Sequence, residues 1–219
     1  MLKHIITTKC DRTCSYCIMK NVSVDEKYNL EELHDLYATL AVDFEQIMIT
    51  GGEPLMHPIF LDIVEAARLF FKEVHLTSSR TEVAQDPGIA SLFDSVTITF
   101  HSFEHIPKVN PCVPIYASIM EGDYEEILPM LFKTMGYAGL TINENHWEPN
   151  RIRFWDLPKP NNFSIRLNES GKCCSDMEMI LPNLEVIDSF EKFMECENEP
   201  TCNTKTLELR RNSPVHQEF

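Results

Sequence analysis

The chain predicts an α/β fold built on a parallel sheet, and three observations carry that prediction. Strand-like and helix-like segments alternate from Leu2 to about Asn143, giving six βα-type repeats. Such repeats imply parallel strands joined by right-handed crossovers. Two chemically suggestive motifs fall at the ends of predicted strands, where ligands gather in sheets of this kind. After Asn143 the alternation stops, which predicts a main domain over 1–145 and a small C-terminal appendage over 146–219.

The elements follow in order. Leu2 to Thr8 is an apolar strand running into a cysteine-rich loop. Leu30, Leu33, Leu36, Tyr37 and Leu40 recur at helical spacing, which predicts a helix over 30–40. Asn29 is placed to cap it, with Glu31 and Glu32 in the first turn. Gln46 to Thr50 is a second strand, ended by Gly51-Gly52. Pro58 suits the first turn of the next helix, which continues from Ile59 to Phe71. Glu73 to Thr77 is a third strand, and Ile89 to Phe93 a short helix. Ser95 to Phe100 is rich in β-branched residues and reads as a fourth strand. Val113 to Ile119 is a fifth. Tyr124 to Met135 is helical in pattern, with Pro129 as an irregularity. Gly139 to Asn143 is a sixth strand.

Beyond that point 147–150 and 158–162 read as turns and linker. The runs 177–181 and 184–187 flank Pro182-Asn183, which suggests a hairpin. A short helix is expected over Ser189 to Cys196, and the C-terminal end is expected to fray.

Composition excludes several classes. No apolar run approaches the length of a membrane span. The start, Met1 to Thr8, is too short and polar for a secretory signal, so a cytoplasmic location is the expectation. Formal net charge is −15, from 34 acidic residues against 19 Lys and Arg. A field of that sign repels phosphate backbones and argues against a nucleic-acid substrate. Eight cysteines without an export signal read as metal ligands before disulfides. Cys10, Cys14 and Cys17 form a front group, and Cys173, Cys174, Cys196 and Cys202 a rear one. Cys112 stands apart and is expected to be a small buried hydrophobe.

The front group has C-x3-C-x2-C spacing. Three such thiolates can hold three corners of an iron–sulfur cube, and no fourth Cys follows locally. An iron left without a protein ligand can bind a substrate or cofactor, by the logic that separates open catalytic metal sites from closed structural ones. A structural zinc with a distant fourth ligand, or a redox pair, would use the same residues. The second motif is Thr50-Gly51-Gly52-Glu53-Pro54. Its glycines let backbone approach a ligand closely, and Glu53 offers a carboxylate at the strand rim; a plain tight turn is the alternative.

Together the two motifs resemble the radical S-adenosylmethionine (radical SAM) superfamily, over Leu2 to about Asn143. The cysteine spacing, Tyr16 just before the last Cys, Gly51-Gly52-Glu53-Pro54, and the following Leu55-Met56-His57-Pro58 all match family usage. The resemblance implies an oxidoreductase-type enzyme on a partial (β/α)6 TIM-like barrel. It implies a [4Fe–4S] cluster on Cys10, Cys14 and Cys17, with S-adenosylmethionine chelating the open iron. Backbone at Gly51, Gly52 and Glu53, with Pro54 beside them, would receive the methionine ammonium, and Tyr16 would sit against the adenine. One electron would cleave the sulfonium C–S bond, and the resulting 5′-deoxyadenosyl radical would abstract hydrogen from substrate. An external donor such as flavodoxin or ferredoxin would supply that electron. Ser78, Ser79 and Arg80 follow strand three where many members have Asn-Gly. Ser79 and Arg80 are candidate cofactor contacts, Arg80 toward the methionine carboxylate, and Ser102 is the candidate for the ribose.

Among the histidines, His75 is expected to be a satisfied mid-strand residue and His101 to face the site; His57, His105 and His146 have no ligand spacing. The rear cysteines loosely resemble the truncated SPASM or twitch-like auxiliary-cluster appendages of some family members, and could hold a second cluster or zinc. The dense cysteine run of such appendages is missing. No residue is assigned as catalytic. The substrate is expected to be a peptide or protein side chain, with a nucleotide or deazapurine, or a glycyl-radical enzyme awaiting activation, as alternatives. Outside enzymes, a zinc-stapled binding protein or an Fe–S sensor remains.

Overall fold

A computed structural model of the chain describes residues 1–13, 25–27, 29–100, 112–119, 137–143, 164–168 and 178–187. Within them, β1 (Leu2–Ile5), β2 (Gln46–Thr50), β3 (Glu73–Ser78), β4 (Ser95–Phe100), β5 (Ile115–Ile119) and β6 (Gly139–Asn143) form consecutive parallel pairs. Helices α1 (Leu30–Leu40), α2 (Phe60–Phe70) and the short α3 (Glu82–Gln85) and α4 (Pro87–Ala90) lie on the crossovers. The result is the partial barrel expected, its strands in sequence order.

The sheet also continues past residue 145 at both edges. β7 (Ser164–Asn168) pairs in parallel with β6, from Gly139↔Ser164 to Asn143↔Asn168. No strand was expected there, because the stretch carries only two apolar residues, Ile165 and Leu167, after a turn-rich segment. At the other edge β8 (Met179–Ile180) lies parallel to β1 and antiparallel to β9 (Val186–Ile187). This is the hairpin expected around Pro182-Asn183. It caps the β1 edge, where unpaired backbone groups would otherwise be exposed. The order among the described residues is β7-β6-β5-β4-β3-β2-β1-β8-β9.

One face of the sheet is apolar and packs under α1 and α2. Leu2, Ile47, Ile49, Val74, Leu76, Val96 and Ile98 join Leu33, Tyr37, Ile63, Val64 and Ala67 in one core cluster. Burying a branched aliphatic side chain of this size contributes about 1.5–3 kcal/mol. The alternate residues Thr50, Thr77, Thr97 and Thr99 face the other way, since side chains alternate along a strand. His75 is on that polar face, with Nδ1 2.8 Å from Ser95 Oγ and Nε2 3.3 Å from the Glu73 carboxylate. Its reading as a satisfied mid-strand residue holds.

Local signals explain most boundaries. Asn29 Oδ1 accepts the N–H groups of Glu31 and Glu32 and starts α1 where the sequence placed it. Such a cap is worth about 1 kcal/mol. Pro58 lies just before α2 rather than in its first turn; Ile59 caps the helix and donates its N–H to His57 Nδ1 at 3.3 Å. β5 starts at Ile115 rather than Val113; Pro114 has no N–H to give the ladder, and only its carbonyl joins it, accepting Val96 N–H at 3.0 Å. The short helix expected over 89–93 falls at Pro87–Ala90, with Asp86 Oδ1 receiving the Gly88 N–H. Cys112 is exposed, not a buried hydrophobe; its Sγ lies 3.7 Å from the Pro87 carbonyl oxygen. The helices expected over 124–135 and 189–196 lie outside the described residues.

Candidate functional site

The site is built where β1, β2 and β3 end. β1 stops at Ile5 as a strand, yet its ladder to β2 continues in another form. Ile6 N–H donates to Thr50 O at 2.9 Å, Gly52 N–H to Thr7 O at 2.7 Å, and Glu53 N–H to Lys9 O at 2.8 Å. The last of these bonds falls beside Cys10. Residues 50–53 and the entry to the cysteine loop are therefore one backbone unit.

The two glycines make that approach possible. Gly51 sits at φ +154°, and a Cβ there would meet Thr7 O at 2.5 Å. A Cβ on Gly52 would meet Lys9 O at 2.3 Å. The close backbone approach expected for a ligand is thus made first to the chain itself. The amides of Gly52 and Glu53 are committed to it. An ammonium donates only, so what these residues can offer it is carbonyl oxygen.

Glu53 corrects the expectation of a carboxylate offered at the rim. It is fully buried. Oε1 accepts Ser78 Oγ at 2.7 Å and Leu55 N–H at 3.3 Å. Oε2 accepts the N–H of Ser79 at 2.9 Å and its Oγ at 2.8 Å. Four donors meet two oxygens, as an acceptor-only group requires. Glu53 is thereby a brace between the ends of β2 and β3, and Ser78-Ser79 are the residues it braces. Pro54 is buried and opens a single 3-10 turn, Pro54–Met56.

Two residues inside the C-x3-C interval, which sequence reasoning passed over, tie the cysteine loop to the same brace. Arg12 donates from Nε to Ser79 Oγ at 3.1 Å and from Nη2 to Ser79 O at 3.2 Å. Asp11 pairs with Arg80 Nη2 at 2.9 Å. Arg80 N–H donates to Ser78 Oγ at 3.0 Å, while Arg80 Nε is buried without a partner. The one available sequence signal was that Asp11 and Arg12 are charged residues between two prospective ligands.

Glu26 is a third residue the sequence did not reveal. Its Oε1 accepts Thr7 Oγ1 at 2.6 Å and Thr8 N–H at 3.1 Å, and Oε2 lies 3.1 Å from Lys9 Nζ. Burial opposes its charge, but the donors of Thr7, Thr8 and Lys9 together hold its carboxyl below the ordinary range. Lys27 N–H donates to Pro182 O at 2.8 Å, so the segment leaving the cysteine loop meets the β8–β9 turn.

Behind the site, on the helix-covered face, a small cavity is lined by His4, Leu33, His57, Ile63, Pro182 and Leu184. His4 Nδ1 is 2.6 Å from the Tyr37 hydroxyl. Burial, then repulsion from His57, pushes the His4 pKa down to about 3. Burial lowers His57 as well. His57 is 4% exposed and belongs to this interior, not to the site.

Of the expected cluster ligands, Cys10 is half-buried and its Sγ receives the N–H of Arg12 at 3.4 Å. An N–H on the sulfur, at the C-terminal edge of a parallel sheet, suits a cluster thiolate. The orphaned Arg80 Nε suits an anionic group such as a carboxylate. Cys14, Cys17, Tyr16, His101, Ser102, His105, His146, Cys173, Cys174, Cys196 and Cys202 lie outside the described residues. Among the described residues no three metal-binding side chains converge, and no helix is long and apolar enough to cross a membrane.

An open parallel barrel with a glycine turn bonded to a cysteine loop defines a class of cofactor-binding α/β protein. The model of the Radical SAM superfamily matches residues 4–131, more than half of the chain. The chain belongs to that superfamily, and its cofactors are a [4Fe–4S] cluster and S-adenosylmethionine. The GTP 3′,8-cyclase of Mannheimia succiniciproducens is 26% identical over 192 residues, covering 78% of this chain and 54% of that protein. The GTP 3′,8-cyclase of Erythrobacter litoralis is 34% identical over 95 residues, covering 38% of this chain and 27% of that protein. Streptococcus suis SuiB bound to S-adenosylmethionine shares the fold at TM-score 0.62 and 10% identity, over 90% of this chain and 61% of that one. The chain thus spans about half the length of the longer-matching cyclase and under two thirds of SuiB.

Proposed function

We propose that this chain is a radical SAM enzyme whose cluster is ligated by Cys10, Cys14 and Cys17 and whose substrate is a peptide or protein side chain. The observation that supports the first part is the bonding of Thr7 and Lys9 to Gly52 and Glu53, which joins the residues just before Cys10 to the glycine turn. Carbonyl oxygens of the glycine turn would receive the methionine ammonium, and Arg80 Nε the carboxylate. Tyr16 would lie against the adenine and Ser102 near the ribose. When bound, a reduced cluster with S-adenosylmethionine would supply one-electron cleavage of the sulfonium C–S bond and, from it, hydrogen-atom abstraction from substrate. The chain's part is to hold the target C–H bond at contact distance and keep water out. A flavodoxin or ferredoxin would be the one-electron donor.

The peptide reading is supported by SuiB, a protein of like fold whose structure has been solved with its precursor peptide SuiA. The second reading, a nucleotide, is favoured by the cyclase relatives, whose named substrate is GTP. Net charge of −15 weighs against a triphosphate. A second cluster or zinc on the rear cysteines would be compatible with either reading.

Anaerobic reconstitution with iron and sulfide tests the first part. The full chain should turn brown and, once reduced, convert S-adenosylmethionine to 5′-deoxyadenosine; Cys14→Ala should abolish both. A colourless protein that binds zinc at the same thiols would sink the reading. GTP and a synthetic peptide library, each added to the loaded protein, separate the substrates: the true class raises 5′-deoxyadenosine yield and is itself altered in mass.

A further inference from the structure

Arg12 makes two kinds of contact at once. Its side chain forks onto Ser79, with Nε on the hydroxyl at 3.1 Å and Nη2 on the carbonyl at 3.2 Å. Its own backbone N–H points at Cys10 Sγ, 3.4 Å away. Ser79 is itself held by Glu53, through its N–H and its hydroxyl. A rigid path therefore runs from the buried Glu53 carboxylate, through Ser79 and the Arg12 guanidinium, to the amide on the Cys10 sulfur. Asp11, the residue before Arg12, is fastened in parallel to Arg80.

We propose that Arg12 is a positioning residue that sets the reduction potential of the cluster, by clamping its own backbone N–H onto Cys10 Sγ. This rests on Cys10 being a cluster ligand, as proposed above. The physical reason is charge. A hydrogen bond to a ligating sulfur withdraws electron density from it and stabilises the reduced cluster, which raises the potential. Residues outside the immediate ligands control that potential by fixing such donors. The loop amide could swing away from the sulfur; the fork on Ser79 prevents it. A guanidinium is suited to the task because its donors are preset in a planar fork, whereas a lysine ammonium is a point charge on a flexible stem.

The test is the midpoint potential of the reconstituted full chain, read by redox titration of its reduced-cluster EPR signal. Arg12→Ala should shift the midpoint to more negative values. Arg12→Lys should shift it in the same direction by most of that amount, although the positive charge is kept. Ser79→Ala, which removes one arm of the fork, should give a smaller shift. In the cluster-free chain, amide exchange at Arg12 should speed up in both Arg12 variants, a readout independent of the cofactor and of activity. If Arg12→Ala does not load a cluster, Arg12→Lys and Ser79→Ala carry the test. A wild-type midpoint in Arg12→Lys overturns the clamp, because charge alone would then suffice. Cys10→Ala is the companion: loss of the cluster there with an unmoved midpoint in Arg12→Lys overturns this inference only, whereas retention of the full cluster in Cys10→Ala overturns the ligand reading and this inference together.

Discussion

Ser79 donates twice to Glu53: its backbone N–H reaches Oε2 at 2.9 Å and its hydroxyl reaches the same oxygen at 2.8 Å. With Ser78 Oγ on the other oxygen at 2.7 Å, a single buried carboxylate joins the ends of β2 and β3. Glu53→Gln should therefore be costly despite its matched shape. The amide nitrogen brings a donor to where two donors already point, leaving Leu55 or Ser79 N–H unsatisfied. The expected loss is about 1–3 kcal/mol, measured by urea unfolding of the cluster-free chain. A midpoint indistinguishable from wild type would show that Glu53 is no brace.

The glycines should differ sharply in tolerance. Gly52→Ala would drive a methyl group to 2.3 Å from Lys9 O, and backbone must move. Overpacking of this kind costs about 1–3 kcal/mol or more, and here it would also displace the entry to Cys10. Gly88 is the control, since its added Cβ meets only the Asp86 carboxylate at 3.0 Å, the end of a side chain. Gly52→Ala is expected to lose stability and iron content after reconstitution, and Gly88→Ala to keep both. Equal iron content in the two would count against the welded glycine turn.

Acid should destabilise the fold through His4. Its folded pKa is depressed to about 3 from an ordinary 6.5, by burial first and His57 second. Between those values the unfolded chain binds the proton and the folded chain does not. Stability is thus unaffected above pH 6.5 and falls as pH drops from there toward 3. The limiting slope is about 1.4 kcal/mol per pH unit, or about 2 kcal/mol on going to pH 5. His57, also lowered, adds with the same sign. Glu26, a carboxyl held low, contributes stability that is lost only at more acid pH, as it protonates. Urea midpoints at pH 7 and pH 5 are the check. His4→Gln can keep a hydrogen bond to Tyr37 and should lose much less between the two; an unchanged loss would refute the assignment.

Lys9 and Glu26 form an ion pair but should not matter equally. Lys9 is 60% exposed at its side chain and Glu26 10%. An exposed ammonium contributes under about 1 kcal/mol, so Lys9→Ala should be nearly neutral. Glu26→Ala also strips the acceptor from Thr7 Oγ1 and Thr8 N–H, and an unpaired buried donor costs about 1–3 kcal/mol. Thermal unfolding of the two variants, with amide exchange at Thr8, should separate them by more than a few degrees.

Local sequence determined what local chemistry decides. Asn29 before an apolar helical stripe set the start of α1, the β-branched run Ser95 to Phe100 set β4, and Pro182-Asn183 between apolar pairs set the hairpin. The cysteine spacing and the Gly51–Pro54 motif pointed to the family, because a metal site and a side-chain-free turn demand particular residue types at short range. Only the tertiary structure decided where partners far apart in sequence meet. Glu53 and Ser79, Arg12 and Ser79, and Thr7 and Glu26 are 26, 67 and 19 residues apart. The pairing of β8 with β1 spans most of the chain. Spacing along the chain carries no record of such contacts. They arise when parallel strands come into register and a buried carboxylate, having lost its water, must take whatever donors the neighbouring strand ends supply.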